Sequence, residues 1–197
     1  MANTSATGGP LAPAIASPPL EDDELDDLLQ ETVAGVTSLD GAMVRPRWQP
    51  TVPKQPEPGT NWCAIGITVQ TPDAGPAIQH DPAGDGSDTY IRHQDIELLC
   101  SFYGPSASGY AQRLADGMAI PQNSEQLGLH DVKFVSASEV RPAPEFVNQQ
   151  WVRRYDLTLT LRRKITRTYA VLNLLSAQVQ HTTDSVPPVA GTTNIDQ

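Results

Sequence analysis

The stretch Trp151-Val152-Arg153-Arg154-Tyr155-Asp156-Leu157-Thr158-Leu159-Thr160-Leu161-Arg162-Arg163-Lys164-Ile165 decides how the fold is read. Tyr155, Leu157, Leu159 and Leu161 fall on one side of an extended chain, and Asp156, Thr158, Thr160 and Arg162 on the other. That period of two belongs to a half-buried antiparallel strand. At about 15 residues the strand outruns the typical ~5–6, so part of it is expected to meet something beyond its own sheet.

Three upstream segments read the same way. In 62–71, Cys63, Ile65, Ile67 and Val69 share a face; in 89–103, Ile96, Leu98, Cys100 and Phe102 do. In 131–140, Val132 and Phe134 alternate with polar residues. Helices are expected between and before these strands. Glu21, Asp22, Asp23 and Glu24 follow Pro18-Pro19 and favour the positive end of a helix dipole. Leu25, Leu28, Leu29, Thr32, Val33 and Val36 then recur at helical spacing, and Gly35 or Gly41 is the expected stop. A second helix starts near Ser106 with the stripe Tyr110, Ala111, Leu114, Ala115 and Met118, and breaks at Pro121. A short turn or helix is expected over 122–129.

The sum is an α+β domain: a mostly antiparallel four-stranded sheet with helices packed on one face. The 39% apolar content of 197 residues supports one such core. Residues 1–19 are small, polar and proline-punctuated, and are read as a flexible N-terminal arm. The domain occupies 20–178, and 179–197, with Pro187-Pro188 and many threonines, is read as an extended C-terminal tail. The proline-rich 44–58 stretch is a linker or edge segment. The 72–88 connection, about 17 residues rich in Gly, Pro and Asp, is long for a compact domain, as functional or mobile loops are.

Chemistry is sparse. His80, His93, His130 and His181 lack the spacing of a zinc site, and His93 with Asp95 has no nucleophile in a recognisable elbow. Asp81, Asp85 and Asp88 miss the EF-hand pattern. Cys63 and Cys100 sit in apolar strand patterns and read as reduced core thiols, a cross-strand disulfide being the alternative. No catalytic, cofactor-binding or metal site is expected, and no apolar run reaches membrane-spanning length.

Charge is the feature left over. The chain carries 13 Lys and Arg against 23 Asp and Glu, net −10, which disfavours general DNA binding but suits a passage that DNA slides through. Within 153–167, six basic residues against Asp156 leave +5. These are either edge-strand charges that block aggregation or half of a head-to-tail docking pair with the acidic helix start. The expected interface residues are therefore Arg153, Arg154, Arg162 and Arg163, the loop carboxylates Asp81, Asp85 and Asp88, and Glu21, Asp22 and Asp23.

Several blocks carry a family resemblance: Val44-Arg45-Pro46-Arg47-Trp48-Gln49-Pro50, Asn61-Trp62-Cys63-Ala64-Ile65-Gly66-Ile67 and Cys100-Ser101-Phe102-Tyr103-Gly104-Pro105. With them stand Asp116-Gly117-Met118-Ala119-Ile120-Pro121-Gln122-Asn123, Trp151-Val152-Arg153-Arg154-Tyr155-Asp156-Leu157, Leu161-Arg162-Arg163 and Arg167-Thr168-Tyr169. In this order they resemble the neck/tail terminator proteins of tailed bacteriophages, over roughly residues 20–178. The resemblance implies a structural virion protein without catalysis or cofactor, made in the host bacterial cytoplasm. It implies a ring, usually a homo-hexamer, that caps the head-proximal end of the tail tube and joins it to the head connector or completion protein. In contractile tails the ring also meets the sheath protein; DNA passes through its lumen, and no membrane is involved. Alternatives are another neck component, either a head-completion or a sheath-capping ring, and a soluble binding module using the 45–58 segment as a peptide ligand.

Overall fold

The computed structural model describes residues 3–14, 19–51, 53–147, 149–174, 176–182, 184 and 189–196. Pro18 and Pro187-Pro188, which the sequence reading used as punctuation, lie outside them. The chain divides into two compact units, one of Ser17–Ala77 with Ile91–Thr166, the other of Met1–Ala16, Ile78–Tyr90 and Arg167–Gln197.

In the larger unit, helix α1 spans Asp22–Thr37 and buries Leu25, Leu28, Leu29, Val33 and Thr37. The expected glycine stop is not used. Ser38 takes the left-handed conformation at φ 60 and returns its N–H to the Ala34 carbonyl at 2.8 Å, closing the helix as glycine more commonly does. A short turn at Gly41–Met43 leads into strand β1, Val44–Pro46. The main strands follow: β2 Trp62–Pro72, then β3 Ala77–Asp81, nearly all of it in the smaller unit, and β4 Ser87–Tyr103, whose first residues belong to the smaller unit too. Helix α2 covers Ala107–Met118; after a 3-10 turn at Pro121–Ser124 comes α3, Glu125–Leu129. Strands β5 Val132–Ala137, β6 Arg141–Pro142, β7 Glu145–Val147, β8 Gln150–Val152 and β9 Arg154–Tyr169 complete the sheet elements.

The sheet is seven-stranded and mixed, in the order β1-β2-β4-β9-β5, with β3 on β4 and β6 on β9. This corrects the expected four-stranded antiparallel sheet. β2 pairs antiparallel with β4, as do β5 and β6 with β9, but β1 runs parallel to β2 with Val44 opposite Cys63. β1 and β6, of three and two residues and each holding a proline, are too short to show a period of two, so pattern reading passes over them. The 72–88 connection likewise contains β3, which shortens the true loop to the five residues 82–86.

The core forms where the helices cover the sheet. Ile96, Leu98, Cys100 and Phe102 of β4 and Leu157, Leu159 and Leu161 of β9 meet Leu29, Val33, Ala111, Leu114 and Leu127. Each fully buried Leu or Ile contributes about 1.5–3 kcal/mol. Cys63 and Cys100 are buried and unbridged; burial pushes the Cys63 thiol well above its ordinary range.

The smaller unit has its own hydrogen bonding. The Ser5 N–H donates to the Ala170 carbonyl at 3.2 Å and the Ala14 N–H to Thr168 at 2.8 Å. Strands β10, Ser176–Thr182, and β11, Ala190–Asp196, pair antiparallel.

Candidate docking surface

Alternation along β2 and β4 sends every second side chain to the sheet face opposite the helices. Trp62 and Tyr103 are directly opposed across the two strands, their rings stacked at 4.3 Å and 8°. With Ala64 and Val152 they form a small apolar cluster apart from the main core. The Arg45 guanidinium lies 5.9 Å from the centre of the Trp62 ring and that of Arg154 5.7 Å from Tyr103, so both aromatic rings carry a cation.

Beside this stack runs a polar chain. Arg47 donates to Ser101, Ser101 donates to Asp156 at 2.6 Å, and Arg154 clamps the Asp156 carboxylate with Nε at 2.7 Å and Nη2 at 2.9 Å. Arg154 Nη1 bonds Glu145. Burial works against the Arg154 charge, yet Asp156, Tyr103 and Glu145 outweigh it and hold the guanidinium more firmly protonated than usual. The Tyr103 hydroxyl is pushed up, chiefly by burial. Gly66 makes the arrangement possible: a Cβ there would lie 2.8 Å from the Trp48 ring and 3.0 Å from Arg47 Cδ. A cleft of about 460 Å³ borders the stack, lined among others by Arg45, Trp48, Pro53, Trp62 and Glu145.

The strand arginines read from the sequence take different places. Arg153 is exposed and reaches the Pro105 carbonyl at 3.3 Å. Arg154 is engaged as above. Arg162 bridges Asp95 at 2.7 Å and Asp73 at 2.6 Å, two hydrogen bonds that raise its pKa. Arg163 is only 6% exposed and donates to Gln94 at 2.8 Å and to the Leu20 carbonyl at 2.8 Å. All four basic side chains thus bond within their own chain, Arg153 alone through a single exposed contact to a backbone carbonyl.

The acidic positions are more open. Glu21, Asp22 and Asp23 are exposed at the start of α1. Glu21 and Asp22 share a crevice with Trp48 and Arg163. One turn further on, burial and then the charges of Asp23, Asp27 and Asp22 raise the pKa of Asp26. In the smaller unit, Asp81 and Asp85 are exposed, Asp81 capping the Ala83 N–H at 2.9 Å. Asp88 binds His80 Nδ1 at 2.7 Å.

Sequence reasoning missed the aromatic side of this surface. Strands β7 and β8 form an antiparallel hairpin on which Phe146 and Trp151 pack ring to ring at 5.2 Å while 61% and 71% exposed. Val152 of the same hairpin joins the Trp62–Tyr103 cluster, fixing the hairpin to the face opposite the helices. Two aromatics five positions apart were the available signal, but β7 and β8 are three residues each. Among the described residues no group of three or more His, Cys, Asp or Glu is placed to hold a metal. No helix among them is long and apolar enough to cross a membrane.

A mixed α+β sheet whose uncovered face spends its polar groups on internal bonding and presents aromatics outward defines a structural subunit with surfaces suited to other proteins. The family profile described as phage neck terminator protein matches residues 23–185, and the chain belongs to that family. It is therefore a structural component of the phage neck and of the virion, where it meets other head and tail proteins. No curated protein matches the chain closely enough to add a relative.

Proposed function

We propose that the protein assembles into a closed ring, a hexamer, that caps the head-proximal end of the tail tube and joins it to the head connector or completion protein. The observation that carries this reading is the neck terminator match over 23–185. Supporting it, Arg153, Asp81, Asp85 and Glu21 to Asp23 are exposed on one small subunit of net −10. Acidic and basic surfaces of that kind suit a heterologous, ring-closing contact, and the net charge keeps a DNA-lined lumen from gripping its cargo. Arg154, Arg162 and Arg163 then act by holding the strands that display their exposed neighbours. Host cytoplasmic synthesis and, in contractile tails, contact with the sheath belong to the same reading.

The test is to mix the purified protein with tail tubes lacking it and image them by electron microscopy. A ring of density at one tube end, followed by attachment of connector-bearing heads, is the expected result. Tubes that stay bare and fail to join heads overturn the proposal.

A further inference from the structure

We infer that neighbouring subunits join by seating the Phe146–Trp151 aromatic pair of one copy in the groove between α1 and α2 of the next. The inference rests on the ring reading and names its contact. The groove has a volume of about 580 Å³ and is lined by Val36, Gly109, Arg113, Asp116, Gly117 and Ile120. It is mainly apolar at its base: Val36 and Gly117 meet there, and Ile120 stands 52% exposed at its edge. Gly109 has no atom within 4 Å of where a Cβ would stand, so the α2 surface is left open at that point.

Knob and groove lie on opposite sides of the larger unit. The groove belongs to the helical layer, whereas Val152 holds the hairpin to the other face of the sheet. A knob and a hole on opposite sides of one molecule do not satisfy each other in a two-fold pair; they repeat head to tail, a heterologous contact that gives a ring when the rotation between copies closes. Charge agrees with this placing. Exposed Arg153 lies two residues beyond Trp151, on the far side of buried Val152, and exposed Asp116 lines the groove, so docking can bring a guanidinium to a carboxylate. Arg113, already lying 5.1 Å from the Tyr110 ring, offers a cation to an incoming aromatic face. A second copy is thus matched in polarity and charge.

The test uses the full chain. Trp151→Ala and Gly109→Leu alter exposed positions; circular dichroism should match the wild type, and thermal melting should match it or, for the helix-favouring Gly109→Leu, lie slightly above it. Subunit association, followed by sedimentation velocity and native mass spectrometry, is expected to weaken roughly 30-fold in each, the scale of losing one aromatic hot spot. The double variant Gly109→Cys with Trp151→Cys, oxidised at high protein concentration, is expected to give a ladder of covalent oligomers ending at the ring. A wild type that forms rings while both single variants do so equally and the double variant stays unlinked overturns this contact and leaves the ring reading standing. A wild type that forms no ring defeats the ring reading; the cysteine pair then decides the contact alone, linked dimers upholding it and unlinked monomers overturning it.

Discussion

Gly117 of α2 faces Val36 of α1 so closely that a Cβ on the glycine would stand 2.4 Å from Val36 Cγ1. The two helices pack at the only separation that a missing side chain permits. Gly117→Ala should therefore destabilise the fold by about 1–3 kcal/mol through overpacking, less the modest gain that alanine brings within a helix. Urea unfolding of the variant measures the difference. A midpoint at or above the wild type would show that α1 moves aside freely.

Arg154 sits where a carboxylate clamp, a second carboxylate and a buried aromatic ring converge. Arg154→Ala removes the guanidinium that both Asp156 and Glu145 bond, and is expected to cost about 1.5–3 kcal/mol. Arg154→Lys should recover only part of this, because an ammonium cannot make the two-pronged contact with Asp156. Thermal melts of both variants check the order wild type, Lys, Ala.

Arg163 within β9 and Arg153, just before that strand begins, should behave oppositely. Arg163→Ala strands the Gln94 side chain and the Leu20 carbonyl in the interior and is expected to lower stability by about 1–3 kcal/mol. Arg153→Glu changes an exposed side chain and should stay within about 0.5 kcal/mol of the wild type. If Arg153 is an intersubunit contact as proposed, its variant fails in assembly while melting normally. Paired melting and ring-formation measurements separate the two effects.

His80 lies between two acceptors. Its Nδ1 faces Asp88 at 2.7 Å and its Nε2 faces Asn173 Oδ1 at 2.8 Å. Asn173 Nδ2 donates to the Pro82 and Gly84 carbonyls, which fixes the amide so that its oxygen points at the ring. The doubly protonated ring satisfies both contacts, and the Asp88 bond first, then Asn173, raises the His80 pKa. Its stabilising contribution is therefore complete below the ordinary value of about 6.5 and is lost as pH rises through the higher folded value. An NMR titration should place the His80 midpoint above about 6.5, and Asp88→Asn should bring it down. A wild-type midpoint at or below the ordinary value would contradict the geometry.

Much of the framework was legible in the residues. Leu157, Leu159 and Leu161 alternate because one face of β9 is buried, and they line the core as that pattern requires. The α1 stripe from Leu25 to Val33 reads equally well. By contrast, β1 is three residues around Arg45 and needs β2 to define it. The arginines show the same division. Arg162 and Arg163 are adjacent in sequence and both basic, yet one bridges two carboxylates near the surface and the other is buried against Gln94 and a carbonyl 143 residues away.

The sequence by itself therefore determined the helices, the four main strands and which of their faces are apolar, because periodicity acts over a few neighbouring residues, while its ordered blocks carried the family resemblance. Only the tertiary structure decided the parallel edge strand, the internal partners of Arg154, Arg162 and Arg163, and the aromatic hairpin on the face opposite the helices. Those depend on partners tens of residues apart, and the free energy of burying a charge or exposing a ring is set by what the fold brings beside it.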